Sequence, residues 1–250
     1  MTLLLKLVLA PLLVVGSSLA GRRWGPGLTG LLVALPLVAG PILLITYLEQ
    51  GPAFVARAAS ASLLGLVSLA AFAVVFARVS RARGWVGTVL QGWLVCLSLD
   101  LALSFAPVPA WVALGLALAA AWAGTRLLPL PGEVRPVTPS WWDLPARALV
   151  TAGLVLAVTT AAGRLGPDLT GVLAPFPTAL SVVAVFALAQ GGPPAAAATM
   201  RGLLRGLGGF AAFCFLVAVL AEPLGGWAFV LAAGGAVAGP LVYRRHAPRG

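Results

Sequence analysis

Gly25-Pro26-Gly27-Leu28-Thr29-Gly30 recurs 141 residues later as Gly166-Pro167-Asp168-Leu169-Thr170-Gly171. At the same offset Pro36 meets Pro177, Gly51-Pro52 meets Gly192-Pro193, and Leu63, Gly65, Leu66 and Phe72 meet Leu204, Gly206, Leu207 and Phe213. Apolar composition produces chance Leu and Ala matches, but it does not place Gly-Pro, Thr-Gly, Pro and Gly-Pro at one shared offset. The chain is read as an internal duplication. Beyond Ala77 the register changes: Trp111 pairs best with Trp227, an offset of 116. The first copy therefore carries 25 extra residues, the length of one membrane helix with its turn.

The composition says what kind of helices these are. Of 250 residues, 61% are hydrophobic and only 9% are charged, with a mean hydropathy of +1.06. A soluble domain is about 25% charged, so there is too little polar material here to coat a globule. Spans are expected over 3–20, 27–48, 54–79, 85–105, 109–128, 144–163, 169–189, 196–221 and 225–243. The fold class is an all-α polytopic membrane protein with about nine transmembrane helices in a 4+1+4 inverted-repeat arrangement. Residues 1–83 and 107–128 form the first four-helix repeat, and 84–106 the inserted linking helix. Residues 129–143 form the inter-repeat loop, 144–243 the second repeat, and 244–250 a basic cytoplasmic tail. The segment Met1–Ala20 has the small-residue ending of a signal peptide, but Lys6 and Arg147 obey the repeat offset, which makes it a retained first helix.

Five spans before the second copy make it enter the membrane from the opposite face, so a tandem repeat in sequence becomes an inverted one in space. Charge tests this reading. With nine spans, one side holds Lys6, Arg57 and Arg164. The other holds Arg22, Arg23, Arg78, Arg81, Arg83, Arg126, Arg135, Arg147, Arg201, Arg205, Arg244, Arg245 and Arg249. By the positive-inside rule the N-terminus is outside and the C-terminus is in the cytoplasm of a bacterial inner membrane. The net charge of +10 then reflects loop arginines rather than nucleic-acid binding, and no RNA-reading aromatic motif accompanies it. Cys96 and Cys214 lie in apolar runs and read as packing residues. His246 belongs to the basic tail. Trp141-Trp142 reads as an interfacial anchor.

Pro36 and Pro177 each stand about 13 Å into their helix, near the bilayer centre. A proline inside a helix removes one hydrogen bond and blocks another. Carbonyls freed at that depth need protein, water or ligand, and paired broken helices in inverted repeats point to a transport site. Against this stands simple tolerance of proline in membrane helices, with glycine permitting close packing. The candidate substrate-binding residues are Thr29, Gly30, Pro36, Thr170, Gly171, Pro177, Thr178, Arg57, Arg201, Arg205 and Asp100. Thr29 and Thr170 either cap their helices or bind substrate. Arg201 and Arg205, four apart and on one helical face, either bind an anionic or lipid head group or snorkel to the interface. Asp100 is either a coupling carboxylate or an arginine partner, or it reaches the outer interface from near its helix end. Glu49 and Asp168 fall at helix ends. No nucleotide loop, HExxH, GxSxG or Cys/His cluster occurs, so no enzyme, cofactor or metal is expected. The partners are the lipid bilayer and an unknown small-molecule or lipid substrate.

The stretch Thr170-Gly171-Val172-Leu173-Ala174-Pro175-Phe176-Pro177-Thr178, with Gly192 fifteen residues after Pro177, resembles the GlpM-like family of small bacterial inner-membrane proteins. Their roughly four spans carry a similar Gly-Leu-Ile-Pro-Leu-Phe-Pro-Thr segment. The resemblance covers each repeat and leaves out 84–106 and the linker. The first copy departs from it, with Leu35-Pro36-Leu37 in place of Phe-Pro-Thr. It implies an inner-membrane location and a loose link to exopolysaccharide production, and no defined activity. The leading expectation is a transporter or flippase-like carrier with its site between the second and seventh spans. The alternatives are a non-transporting scaffold for envelope or exopolysaccharide synthesis, and a passive channel. Topology reporters fused to the two termini are expected to report opposite compartments; both ends on one side would overturn the nine-span reading.

Overall fold

The computed structural model describes residues 2–105, 108–129, 132–134, 141–165 and 177–246. Among them the structure is all-helical. The helices are α1 (Thr2–Trp24), α2 (Pro26–Val33), α3 (Ala39–Gln50), α4 (Pro52–Val79), α5 (Trp85–Ser104), α6 (Ala110–Leu127), α7 (Asp143–Leu165), α8 (Thr178–Leu224) and α9 (Trp227–His246). By length and composition α4, α5, α6 and α8 are each able to cross a membrane, and Trp227–Ala236 adds a shorter apolar stretch.

The side chains are sorted as a bilayer requires. On α6, Ala113, Ala117, Ala121 and Gly124 are buried at near-fourfold spacing, while Trp111, Leu116, Leu118 and Trp122 are exposed. On α5, Thr88, Gly92, Cys96 and Asp100 form the buried stripe, and Leu90, Leu94 and Leu101 face outward. Small residues inside and large apolar ones outside is the pattern of helices packed in lipid, where close backbone approach replaces hydrophobic expulsion from water.

α8 is the axis of the bundle. It packs against α2, α4, α6 and α9. At 47 residues it would measure about 70 Å if straight, more than twice a hydrocarbon core of about 30 Å. It is not straight. Gly192 has φ 69° and ψ −170°, a left-handed conformation that only glycine adopts without strain. Pro193 and Pro194 then begin the second segment, where their missing N–H groups cost nothing. The spans expected over 169–189 and 196–221 are thus joined by a one-residue corner.

The same corner occurs twice more, first at Gly25 (φ 91°, ψ 163°), which parts α1 from α2 with Pro26 opening the new helix. Gly51 (φ 83°, ψ 175°) parts α3 from α4, with Pro52 opening the new helix. Gly51-Pro52 and Gly192-Pro193 are offset partners in sequence, and they lie at opposite ends of the bundle. Arg78, in the last turn of α4, donates from Nε (3.1 Å) and Nη2 (3.0 Å) to the carbonyl of Leu127, where α6 ends. Arg201 Nη2 donates to the carbonyl of Pro129 at 3.2 Å, and Gly124 sits against Leu204 and Val74. The Gly192 corner is therefore beside the C-termini of α4 and α6, and the Gly51 corner beside the N-terminus of α4. At that second end Tyr47 of α3 meets Phe229 of α9 edge to face, with ring centroids 5.8 Å apart. The end marked by Arg78, Arg126 and Arg201 is called the basic end below.

The core between α4 and α8 is built largely from residues identical in the two copies. Leu63, Leu66, Ala70 and Phe72 from one side, and Leu204, Leu207, Ala211 and Phe213 from the other, are buried in one cluster. Their repeat spacing is helical, so each set presents a single face.

α2 approaches α8 more closely than side chains allow. A Cβ on Gly30 would strike the carbonyl of Thr199, and one on Gly202 would strike that of Gly27. Gly206 lies under Ala34 and Leu31. Gly202→Ala forces backbone apart and is expected to cost about 1–3 kcal/mol, read as a lowered thermal midpoint in detergent. Gly208→Ala, whose Cβ meets nothing within 4 Å, is the control and should leave the midpoint unchanged or slightly raised.

Candidate functional site

The helix expected over 27–48 is interrupted at Pro36. α2 ends at Val33, residues 34–38 form turns, and α3 starts at Ala39. Pro36 lacks the N–H that would have bonded Leu32; the Leu32 carbonyl accepts from Leu35 instead (3.1 Å), and Gly40 N–H closes on the Pro36 carbonyl (2.8 Å). Short-range bonds thus bridge part of the break. Leu37 is turned outward.

Pro177 is buried and caps the N-terminus of α8, with Thr178 as its first residue. Thr170 and Gly171 lie outside the described residues. The two prolines are at similar depths from the basic end. Pro36 is ten residues from Pro26, about 15 Å, and Pro177 is thirteen from Gln190, about 20 Å. One small core joins their neighbourhoods. Val14, Val182 and Val183 are buried together, and Val33, before the Pro36 break, packs on them alongside Ala179, two residues after Pro177, with Leu154 and Phe186.

Thr29 and Gly30 are buried. Thr29 fills the space over Gly21 of α1, and Gly30 rests on the backbone of α8. Both therefore act here in packing α2 between α1 and α8. Arg57 is exposed in the second turn of α4, at the end opposite Arg201 and Arg205. Since Val74 is level with Leu204, Arg57 and Arg205 are about 25 Å apart along the axis, and the structure does not bring them to one place. Arg205 is exposed, whereas Arg201 is half-buried, and its Nε is buried without a hydrogen-bond partner. Asp100 is 7% exposed and accepts from Cys96 Sγ at 3.6 Å.

The most connected polar group in the bundle escapes the sequence reading. Asp143 opens α7 and its side chain is 2% exposed. Its carboxylate accepts from Arg22 Nη2 of α1 at 2.8 Å, from Arg147 Nε one turn on at 3.1 Å to each oxygen, and from Gln190 Nε2 of α8. Arg147 also donates to Ser18 (3.3 Å) and to Gln190 Oε1 (2.9 Å), and its guanidinium lies 4.7 Å over the ring of Phe186. This clamp ties α1, α7 and the first segment of α8 together two residues before the Gly192 corner. The sequence gives two signals for it: an acid in a helix's first turn, which favours the helix dipole, and an Arg four residues on, the spacing that pairs side chains on one face. The linker boundary at 143 hid the first, and counting Arg147 only as a topological charge hid the second.

A buried carboxylate between two arginines is costly to break and cheap to replace. Asp143→Ala leaves Arg147 buried without its counter-ion and is expected to destabilise by about 3–5 kcal/mol. The paired change Asp143→Leu/Arg147→Met is expected to recover most of that loss. Thermal unfolding of the three proteins measures it; equal loss in the single and the paired variant would show that the clamp's charges are not what holds the corner.

No family model, curated protein or solved structure matches this chain at a significant level.

Proposed function

We propose that this protein is a membrane carrier, a transporter or flippase, whose moving parts are the two proline-interrupted helices. It is read as nine spans in a 4+1+4 inverted repeat, with α5 as the inserted helix. The observation that carries the reading is the shared core of Val14, Val182 and Val183, on which Val33, ahead of the Pro36 break, and Ala179, just after Pro177, both pack. A break bridged in part by short bonds, as at Pro36, is a place where a helix bends at low cost in backbone hydrogen bonds. In this reading the Pro36 break and the start of α8 at Pro177, packed on one cluster at mid-depth, move together.

The inverted-repeat assignment draws support from the paired corners. Gly51 and Gly192, partners at the repeat offset, share a backbone conformation that Gly25 also adopts, and they stand at opposite ends of the bundle, as an inversion requires. The helix pairings agree: α1 lies on α7, α4 on α8, and α4 pairs with α6 as α8 does with α9. The clustering of arginines at one end supports placing that end in the cytoplasm, with the N-terminus outside. The GlpM-like resemblance favours a bacterial inner membrane. Arg201 and Arg205 favour an anionic or amphiphilic substrate, since an orphaned buried guanidinium N–H calls for an acceptor.

A second reading has its own observation. Thr29 and Gly30, at the heart of the repeated motif, are used up in packing, as in a static scaffold for an envelope-synthesis complex. Accessibility separates the readings. In a chain with Cys96 and Cys214 replaced by Ala, single cysteines at Leu37 and Thr178 are expected to react with a membrane-impermeant maleimide from both faces. Labelling from neither face would favour the scaffold. Flux through proteoliposomes that is linear in concentration and never saturates would favour a channel.

A further inference from the structure

Asp100 lies near the C-terminal end of α5, and from its own helix it looks like a residue close to the membrane surface. Its neighbours place it elsewhere. α5 runs antiparallel to α4, with Gly92 seated against the ring of Phe72. That register sets Cys96 and Asp100 opposite the middle of α4, where Ser68 faces the carboxyl. Ser68 is eleven residues from Arg57 and ten from Arg78, the two cations that bracket α4. Each arm is about 15 Å, so Ser68 sits at the centre of a hydrocarbon layer of about 30 Å. The Pro36 break is at the same depth: Gly206 packs under Ala34, and Phe213 against Gly40, and this stretch of α8 is level with α4 residues 65–72.

The polar groups here find little support. Asp100 makes no ion pair among the described residues, and Ser68 Oγ is fully buried with no hydrogen bond of normal geometry. The groups facing the carboxyl are Ser68 from α4 and the Cys96 thiol from α5 itself. α8 presents only Ser181, which accepts from Trp93 Nε1 at 2.8 Å. No arginine of α4 or α8 reaches this level. Acids in the middle of a membrane are retained where they bind or relay an ion, and three oxygens and a thiol are too few to replace the water shell of a metal cation.

We infer that Asp100, with Ser68 and Cys96, is a proton-binding site at the membrane midplane. The carboxyl takes up a proton, becoming neutral, and gives it back when the α4–α5 seam opens to water. Its role as the site that couples proton movement to a substrate rests on the carrier reading; the site itself does not.

A lipid-soluble carbodiimide tests the site on the full-length protein in liposomes, with no substrate needed. The O–H of a protonated acid adds across one C=N bond, and the adduct rearranges to a stable N-acylurea, so one reagent mass is gained and nothing leaves. Peptide mapping is expected to find the adduct on Asp100, forming at least about tenfold faster at pH 6 than at pH 9. A water-soluble carbodiimide should leave Asp100 unmodified, and Asp100→Asn should abolish the mapped adduct. The inference is overturned by absence of the adduct, by a rate independent of pH, or by equal labelling with the water-soluble reagent. Protection by sodium at constant pH would overturn it too, assigning the site to a metal cation. Because labelling is read independently of cysteine accessibility at Leu37 and Thr178, failure of the carrier reading and failure of this site are distinguishable.

Discussion

The bundle depends on glycine. α2 reaches the backbone of α8 only because Gly27, Gly30, Gly202 and Gly206 present no side chains there, and α6 reaches it through Gly124 and a row of alanines. In lipid there is no expulsion of apolar surface from water to pull helices together. Attraction comes from dispersion summed over close contacts, and each pair of atoms contributes only about 0.1–0.2 kcal/mol. Backbones that touch gather many such pairs, and glycine and alanine lose no rotamer freedom in doing so. The seating of α2 on α8 follows from that approach.

The clamp around Asp143 is a different kind of bond. Its charges gain from pairing roughly what they lose on leaving water, so its net contribution to stability is small beside the core of α4 and α8. What it supplies is position. Two guanidinium groups and an amide converging on one carboxylate leave it little freedom, and Gln190 is held within this set just before α8 turns. The glycine contacts fix how near the helices come, and the clamp fixes which turn of α7 meets which turn of α8.

Much of the architecture was legible in the sequence because its causes are local. Proline cannot donate, so an interruption at Pro36 is written in one residue, and Gly-Pro pairs mark the corners at Gly25, Gly51 and Gly192. The apolar excess over 250 residues leaves no alternative to membrane-crossing helices. What was not legible depends on register between elements distant in the chain. Thr29 reads as a cap or a ligand until Gly21 is found beneath it. Asp100 reads as near-surface when measured along α5, and as central when measured against α4. Asp143 reads as linker until Arg22, 121 positions earlier, is found at its oxygen. Arg57 and Arg205, by contrast, are already placed on opposite sides by the charge split, and the structure keeps them at opposite ends.

The clamp exists in one copy only. At the offset positions of Asp143, Arg147 and Gln190 stand Thr2, Lys6 and Glu49, which do not reproduce its set of charges, and Glu49 is exposed. If the backbone halves are related by inversion, their bonding is not. In the carrier proposed above, a perfectly symmetric molecule would rest equally in two equivalent postures, open to one compartment or to the other. Fastening a single corner would tilt that balance, so that the resting form would favour one compartment and a transport cycle would begin from the same side.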